Sequence, residues 1–242
     1  MYNSASFYFM SGTGNSFKTA VWAAETLKAP DKTKITPIEK ASFAAPAERG
    51  SKLAMYPSET SGSWPPLCET NLKHLTGLFF PTHAFTAPWP VIKFALSMPS
   101  SKGSPVIVAA TRGGAFYPFA LPGMEGTACL IPALILAVKG YDVKGFSGFD
   151  MPVNWLAVHW GMNRKHAEFF YSKTKNEISV FISKINSGKR AYKSIPSWIT
   201  GALLLFPSFM YVLFARLMLA KVMFADETCD GCGICAKYCR AS

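Results

Sequence analysis

Acidic residues are scarce in this chain of 242 residues. Asp and Glu number 14 against 25 Lys and Arg, for a formal charge of +11 at pH 7. No two carboxylates are placed for paired acid–base work and there is no nucleophile elbow, which argues against hydrolase chemistry. Histidines number four. His83, His159 and His166 have no metal-ligand spacing; His83 reads as a loop residue and His166 as helix surface. No Lys-Ser/Thr pair completes a nucleotide P-loop, and Phe17 stands where a dinucleotide fingerprint needs its third glycine. The lysines are scattered with no recognition motif, so nucleic acid is not expected as a partner. The start, "MYNSASFYFM", has no basic region ahead of an apolar core, so the mature chain is expected to begin near Met1, in a cytoplasm. Only one close cysteine run occurs, at 229–239; Cys68 and Cys129 stand alone and read as plain buried thiols.

Half of the residues are apolar, enough for a full core. Short apolar runs alternate with helical patterns. "SASFYFM" (4–10) reads as a buried strand, and "FKTAVWAAETLK" as a helix with Phe17, Val21, Ala24 and Leu27 at helical spacing. Further strands are expected at 33–39, in "KLAMY", at 75–80 and 105–110, and in "DVKGFSGFDMPVNW" ahead of its loop. Helices are expected from about Pro88–Pro90, in "EGTACLIPALILAVKGYDV" and over 163–185. This alternation predicts an α/β fold with about five parallel strands, helices on both faces, and a ligand site beyond the carboxyl ends of the strands. The loops there are 11–16, 81–88, 111–119 and 147–155, the last containing Asn154, which reads as a ligand contact or a turn residue.

The first of these loops is "SGTGNS". Gly12 and Gly14 let the backbone turn tightly, and the loop opens a helix whose N–H groups and dipole favour an anion. Ser11, Thr13, Asn15 and Ser16 add neutral donors. The pattern suits a single phosphate monoester; a glycine turn without ligand is the alternative.

Ser11-Gly12-Thr13-Gly14-Asn15-Ser16 directly after the first strand resembles the FMN phosphate loop of flavodoxins, and the strand and loop order over residues 5–185 resembles that fold. With the cysteine run behind it, the chain resembles a family of flavodoxin–ferredoxin fusion proteins. The resemblance implies a flavodoxin-like doubly wound five-stranded parallel sheet, an apolar helical extension and a partial ferredoxin-like tail. It also implies that Pro81-Thr82-His83-Ala84-Phe85 and Thr111-Arg112-Gly113-Gly114-Ala115-Phe116 flank a flavin ring. Phe85 or Phe116 would stack on it, and backbone groups of Thr82, Gly113 and Gly114 would bond its polar edge. Two departures stand out. Ordinary flavodoxins are acidic and this chain is basic, and phenylalanines replace the usual Trp and Tyr. Both bear on the partner and the potential and leave the phosphate site intact.

"IPSWITGALLLFPSFMYVLFARLMLAKVMF" (195–224) is the most apolar stretch. Ile199 to Ala215 carries no charge, which is about the roughly 17-residue lower limit for crossing a bilayer, and Pro207 interrupts it. Lys184, Lys189, Arg190 and Lys193 precede it and Arg216 follows. Basic flanks with Trp198 and Tyr211 suit an anionic membrane surface. Packing on the preceding domain or a partner chain, and spanning, are the alternatives.

The chain closes on "CDGCGICAKYCRAS". Cys229, Cys232, Cys235 and Cys239 have the spacing of a 4Fe–4S ferredoxin run, with zinc as the weaker alternative. Three thiolates of such a run hold one cubane, and the fourth serves a second cluster. The second run is absent, so the chain reads as a piece of a longer fusion, and its tail is expected to be labile or metal-free in air. The organisation expected is 1–188 flavodoxin-like FMN domain, 189–225 basic linker and apolar helical segment, and 226–242 partial 4Fe–4S motif. The leading expectation is a cytoplasmic electron carrier joining FMN to an iron–sulfur module or a redox protein donor or acceptor, with the apolar segment packed on protein or associated with an anionic membrane surface. The rivals are an FMN-dependent reductase of a quinone or other small acceptor, and a scaffold without cofactors.

Overall fold

The computed structural model describes residues 1–27, 32–41, 73–116, 120–153, 162–192, 195–219, 221, 224–225 and 227–234. The expected strand "KLAMY", Cys68, Asn154, His159, Cys235 and Cys239 lie outside these residues.

The strands are β1 (Ser4–Phe9), β2 (Thr33–Pro37), β3 (His74–Pro81), β4 (Pro105–Phe116), β5 (Ala120–Leu121), β6 (Asp142–Pro152) and β7 (Ala191–Tyr192). The helices are α1 (Asn15–Leu27), α2 (Trp89–Ser97), α3 (Leu130–Val138), α4 (Arg164–Asn186), α5 (Ile195–Leu203), α6 (Leu205–Met210) and α7 (Arg216–Leu219). One wide helical turn, Tyr211–Ala215, joins the last two.

Consecutive side chains of a strand point to opposite faces, so a strand apolar at every position must be covered on both. In β1 and β3, Phe7 and Phe79 join Ala20, Ala23, Ile178 and Ile182 under α1 and α4. Tyr8, Leu78 and Phe80 join Val91, Phe94 and Leu136 under α2 and α3. Ile107 and Val108 of β4 divide between the two cores in the same way.

Parallel pairing runs in the order β2-β1-β3-β4-β6, the order of the flavodoxin-like doubly wound sheet. Two short strands add to the expected five: β7 extends the β6 edge in parallel, and β5 folds back antiparallel on Ala115 and Phe116. The switch point lies between β1 and β3, whose connections leave toward opposite faces. The loops after them meet at the carboxyl edge of the sheet.

Two local expectations need correction. Residues 111–116 and 147–152 are not loop. They continue β4 and β6, paired from Thr111–Phe149 to Gly114–Pro152, because the backbone hydrogen bonds available there extend the ladder past the end of β3. The helix expected from Glu125 begins only at Leu130. Pro132 has no N–H and fits the first turn, and residues 126–129 form turns instead. The long helix matches closely: Asn163 caps α4 by accepting from the His166 N–H at 2.9 Å.

Candidate functional site

Four chain segments converge at the carboxyl edge of the sheet. The glycine loop leaves β1 at Met10, whose N–H donates to the Phe79 carbonyl at 2.9 Å. Ser11 Oγ accepts from the Gly14 N–H at 3.0 Å, closing the loop on itself. Gly14 has φ +92°, a conformation that side chains resist, and an added Cβ at Gly12 or Gly14 would meet open space. Lys18 N–H is the first in α1 to find an intrahelical carbonyl, Gly14 O at 2.9 Å. The N–H groups of Asn15, Ser16 and Phe17 therefore have no intrahelical acceptor.

The side chains of this loop do not all face the opening. Ser16 is buried and its hydroxyl pairs with Thr111 Oγ1 at 3.0 Å. Asn15 Nδ2 donates to the Pro152 carbonyl at 3.1 Å, tying α1 to the end of β6. Thr13 is exposed. Lys18 turns away, its ammonium 3.9 Å from the Tyr171 ring centre. Among the described residues, what faces an anion here is backbone N–H and the exposed Thr13, with no cationic side chain at the loop.

The second segment follows β3. Thr82 N–H donates to Thr111 O at 2.8 Å, and His83 and Thr86 exchange both backbone hydrogen bonds at 2.9 and 3.0 Å. Between them Ala84 and Phe85 stand at φ +44° and +64°. A tight turn of this hand favours Asn and Gly, and each L-residue there carries strain of about 1 kcal/mol or more. Surrounding contacts hold it: the Phe85 carbonyl accepts from Thr127 N–H at 2.7 Å and Thr127 Oγ1 at 3.2 Å, and Ser208 Oγ of α6, which shares its proton with Leu204 O at 2.6 Å, lies 3.0 Å away. Strain of this sort gathers at ligand sites. The hydroxyl oxygens of Thr82 and Thr86 are buried with no hydrogen-bond partner among the described residues. Replacing Ala84 by Gly is expected to raise stability by roughly 0.5–1 kcal/mol, the relief of left-handed strain exceeding glycine's entropy cost, as read by urea unfolding.

The third and fourth segments are the ends of β4 and β6. Arg112 does not face the opening. Its guanidinium pairs with Glu125 and, at 2.7 Å, with Asp150 Oδ1. Asp150 also accepts from Lys173 Nζ at 2.8 Å and from the Gly123 N–H at 2.9 Å. Burial pushes the Asp150 carboxyl up, but Arg112, Lys173 and the Gly123 N–H outweigh it and hold the group below the usual range. This cluster fastens the 121–125 segment over the end of β4, so close that a Cβ on Gly123 would lie 2.5 Å from Gly113 O. Gly114 is covered by the Phe170 ring, 2.4 Å from where its Cβ would be. Phe85 is half-buried on its turn, and the Phe116 side chain lies outside what the structure describes.

Sequence reasoning missed Thr86, Glu125, Asp150, Lys173 and Ser208. Asp150 offered one signal, a lone carboxylate inside the apolar run "GFSGFDMP".

Of the tail cysteines, Cys229 and Cys232 are exposed and free. Among the described residues no group of three His, Cys, Asp or Glu side chains could hold a metal ion. None of the described helices is long and apolar enough to cross a membrane.

No family model matches the sequence, and no curated protein matches it. Solved structures do. A flavodoxin from the domain Archaea is 12% identical over 74% of this chain and 99% of its own, at a TM-score of 0.40. A short-chain flavodoxin associated with a non-canonical PDU bacterial microcompartment is 15% identical over 77% of this chain and 99% of its own, at 0.41. The strand order alone carries the fold assignment given above.

Proposed function

We propose that this chain is an electron-transfer flavoprotein binding FMN at the carboxyl edge of its sheet and exchanging electrons with an iron–sulfur module or a protein partner. The observation that carries the reading is the Ser11–Ser16 loop, with open space at Gly12 and Gly14 beside helix N–H groups that have no intrahelical acceptor. The loop fits one phosphate bound by neutral donors, so no side-chain proton has to move when the anion enters. The buried unpartnered hydroxyls of Thr82 and Thr86 and the strained turn at Ala84–Phe85 suit a polar ring edge beside them. FMN, when bound, supplies one- and two-electron transfer.

Reconstitution is expected to load one FMN per chain, and FMN in preference to FAD, because the loop accommodates one phosphate and lacks a dinucleotide fingerprint. Chromatography of the released cofactor checks this; FAD as the main product, or no bound flavin, contradicts it.

Cys229, Cys232 and Cys235 would hold three irons of a 4Fe–4S cubane, whose chemistry requires thiolates, and with the second run absent Cys239 would have to close the fourth position. Gly231 and Gly233 at φ +73° and +70° curl the backbone on either side of the exposed Cys232 thiol, as a ligand loop needs. Iron counting after anaerobic reconstitution tests this separately from the flavin: about four irons per chain support it, and an iron-free chain sinks it.

A second reading, reduction of a quinone at the same flavin, is favoured by the hydrogen bond that ties the apolar α6 to the turn at Phe85. Steady turnover on a soluble quinone distinguishes it from slow turnover with fast exchange to a protein acceptor.

A further inference from the structure

We propose that α5, α6 and α7 form an in-plane anchor that docks the protein on an anionic lipid surface. The helices are amphipathic in the wrong sense for a domain core. The stripe toward the body is small and polar: Gly201 and Ser208 are buried, and the Ser208 hydroxyl, which donates to Leu204 O of its own helix at 2.6 Å, also lies 3.0 Å from Phe85 O. The large apolar side chains point away, with Leu203 74% and Phe206 71% exposed and Leu205, Phe209, Phe214 and Leu217 more than half exposed. A helix packed on its own domain shows the reverse, and an apolar patch of this kind marks a docking surface.

The charge around the patch selects the occupant. Between Glu177 and Asp226 the chain has no acidic residue. Lys184 and Lys189 before the helices in the chain and Lys221 after them are exposed. A second copy would bring the same cations against them at a formal +11 per chain, and like charges repel. Anionic headgroups beside an apolar interior satisfy both parts of the surface, with lysine heads in the headgroup layer and their stems along the acyl boundary.

The geometry also selects lying over spanning. The irregular turn at Tyr211–Ala215 and the missing N–H of Pro207 interrupt the helix, and no described helix is long and apolar enough to cross. The anchor itself does not depend on a bound flavin.

The test is flotation of the full chain with vesicles of phosphatidylcholine alone and with about a quarter phosphatidylserine. Binding is expected only to the anionic vesicles, with most of it lost on raising salt from about 50 to about 500 mM. Phe206→Ser with Phe209→Ser should abolish it at every salt concentration. Lys189→Gln with Lys221→Gln should weaken it roughly tenfold or more. Both pairs replace exposed side chains, so an unchanged melting temperature confirms that the domain is intact. Equal binding to both vesicle types, no binding to either, or a dimer that the two phenylalanine replacements dissolve would each overturn the proposal.

Discussion

Gly12→Val is expected to abolish FMN binding while leaving the protein folded. Gly12 borders the opening at the start of α1, and a Cβ added there would meet nothing within 4 Å beyond its chain neighbours. It would instead fill the space that a phosphate takes. Hydrogen bonds to a charged group contribute about 1.5–3 kcal/mol each, so losing two of them lowers affinity by at least about a hundredfold. Stability should change by no more than about 0.5 kcal/mol, as for other exposed positions. Gly14 is a less clean probe, because φ +92° makes any replacement strain the loop as well as block it. Flavin fluorescence titration reads the affinity, and thermal unfolding reads the fold. An unchanged dissociation constant would mean that the loop is a plain glycine turn.

Arg112→Met is expected to have the largest effect on stability. It leaves Glu125 and Asp150, each 1% exposed, without their shared cation. Removing one partner from a buried charge cluster costs about 3–5 kcal/mol. Lys173 still reaches Asp150, which places the loss toward the lower end. The same cluster sets an acid limb. The Asp150 carboxyl titrates lower in the folded chain than in the unfolded one. Its contribution is therefore complete above the ordinary aspartate pKa of about 4 and disappears as pH falls through the folded value. Asp150→Asn should thus lower stability at neutral pH, with a deficit that shrinks in acid. Urea unfolding from pH 7 down to about pH 3 measures this. A deficit independent of pH would show that the Asp150 charge contributes nothing and that only its shape matters.

The outline of this protein follows from local pattern. Apolar residues at successive positions in β1, β3 and β4 demand cover on both faces, which is a parallel sheet between helix layers. The glycine loop, the long α4 and the proline-led α2 were legible because turns and helical spacing act over a few residues. The same locality explains the failures. Nothing within residues 111–116 announces that pairing with β6 keeps them extended, since their partners lie 38 residues on, as in Arg112 opposite Asp150. The resemblance put Arg112 beside the flavin ring, and its pairing with Glu125 and Asp150 was not legible because those carboxylates come from other parts of the chain.

The sequence by itself determined the fold class, the phosphate-loop candidate and the apolar, carboxylate-free character of 195–224. Only the tertiary structure decided that Asn15 reaches Pro152, that Ser16 turns inward to Thr111, and that Ser208 binds the strained turn at Phe85. Residue pattern sets local conformation and which face must be buried. Which distant groups then satisfy one another's hydrogen bonds and charges is settled only when strand order brings them together.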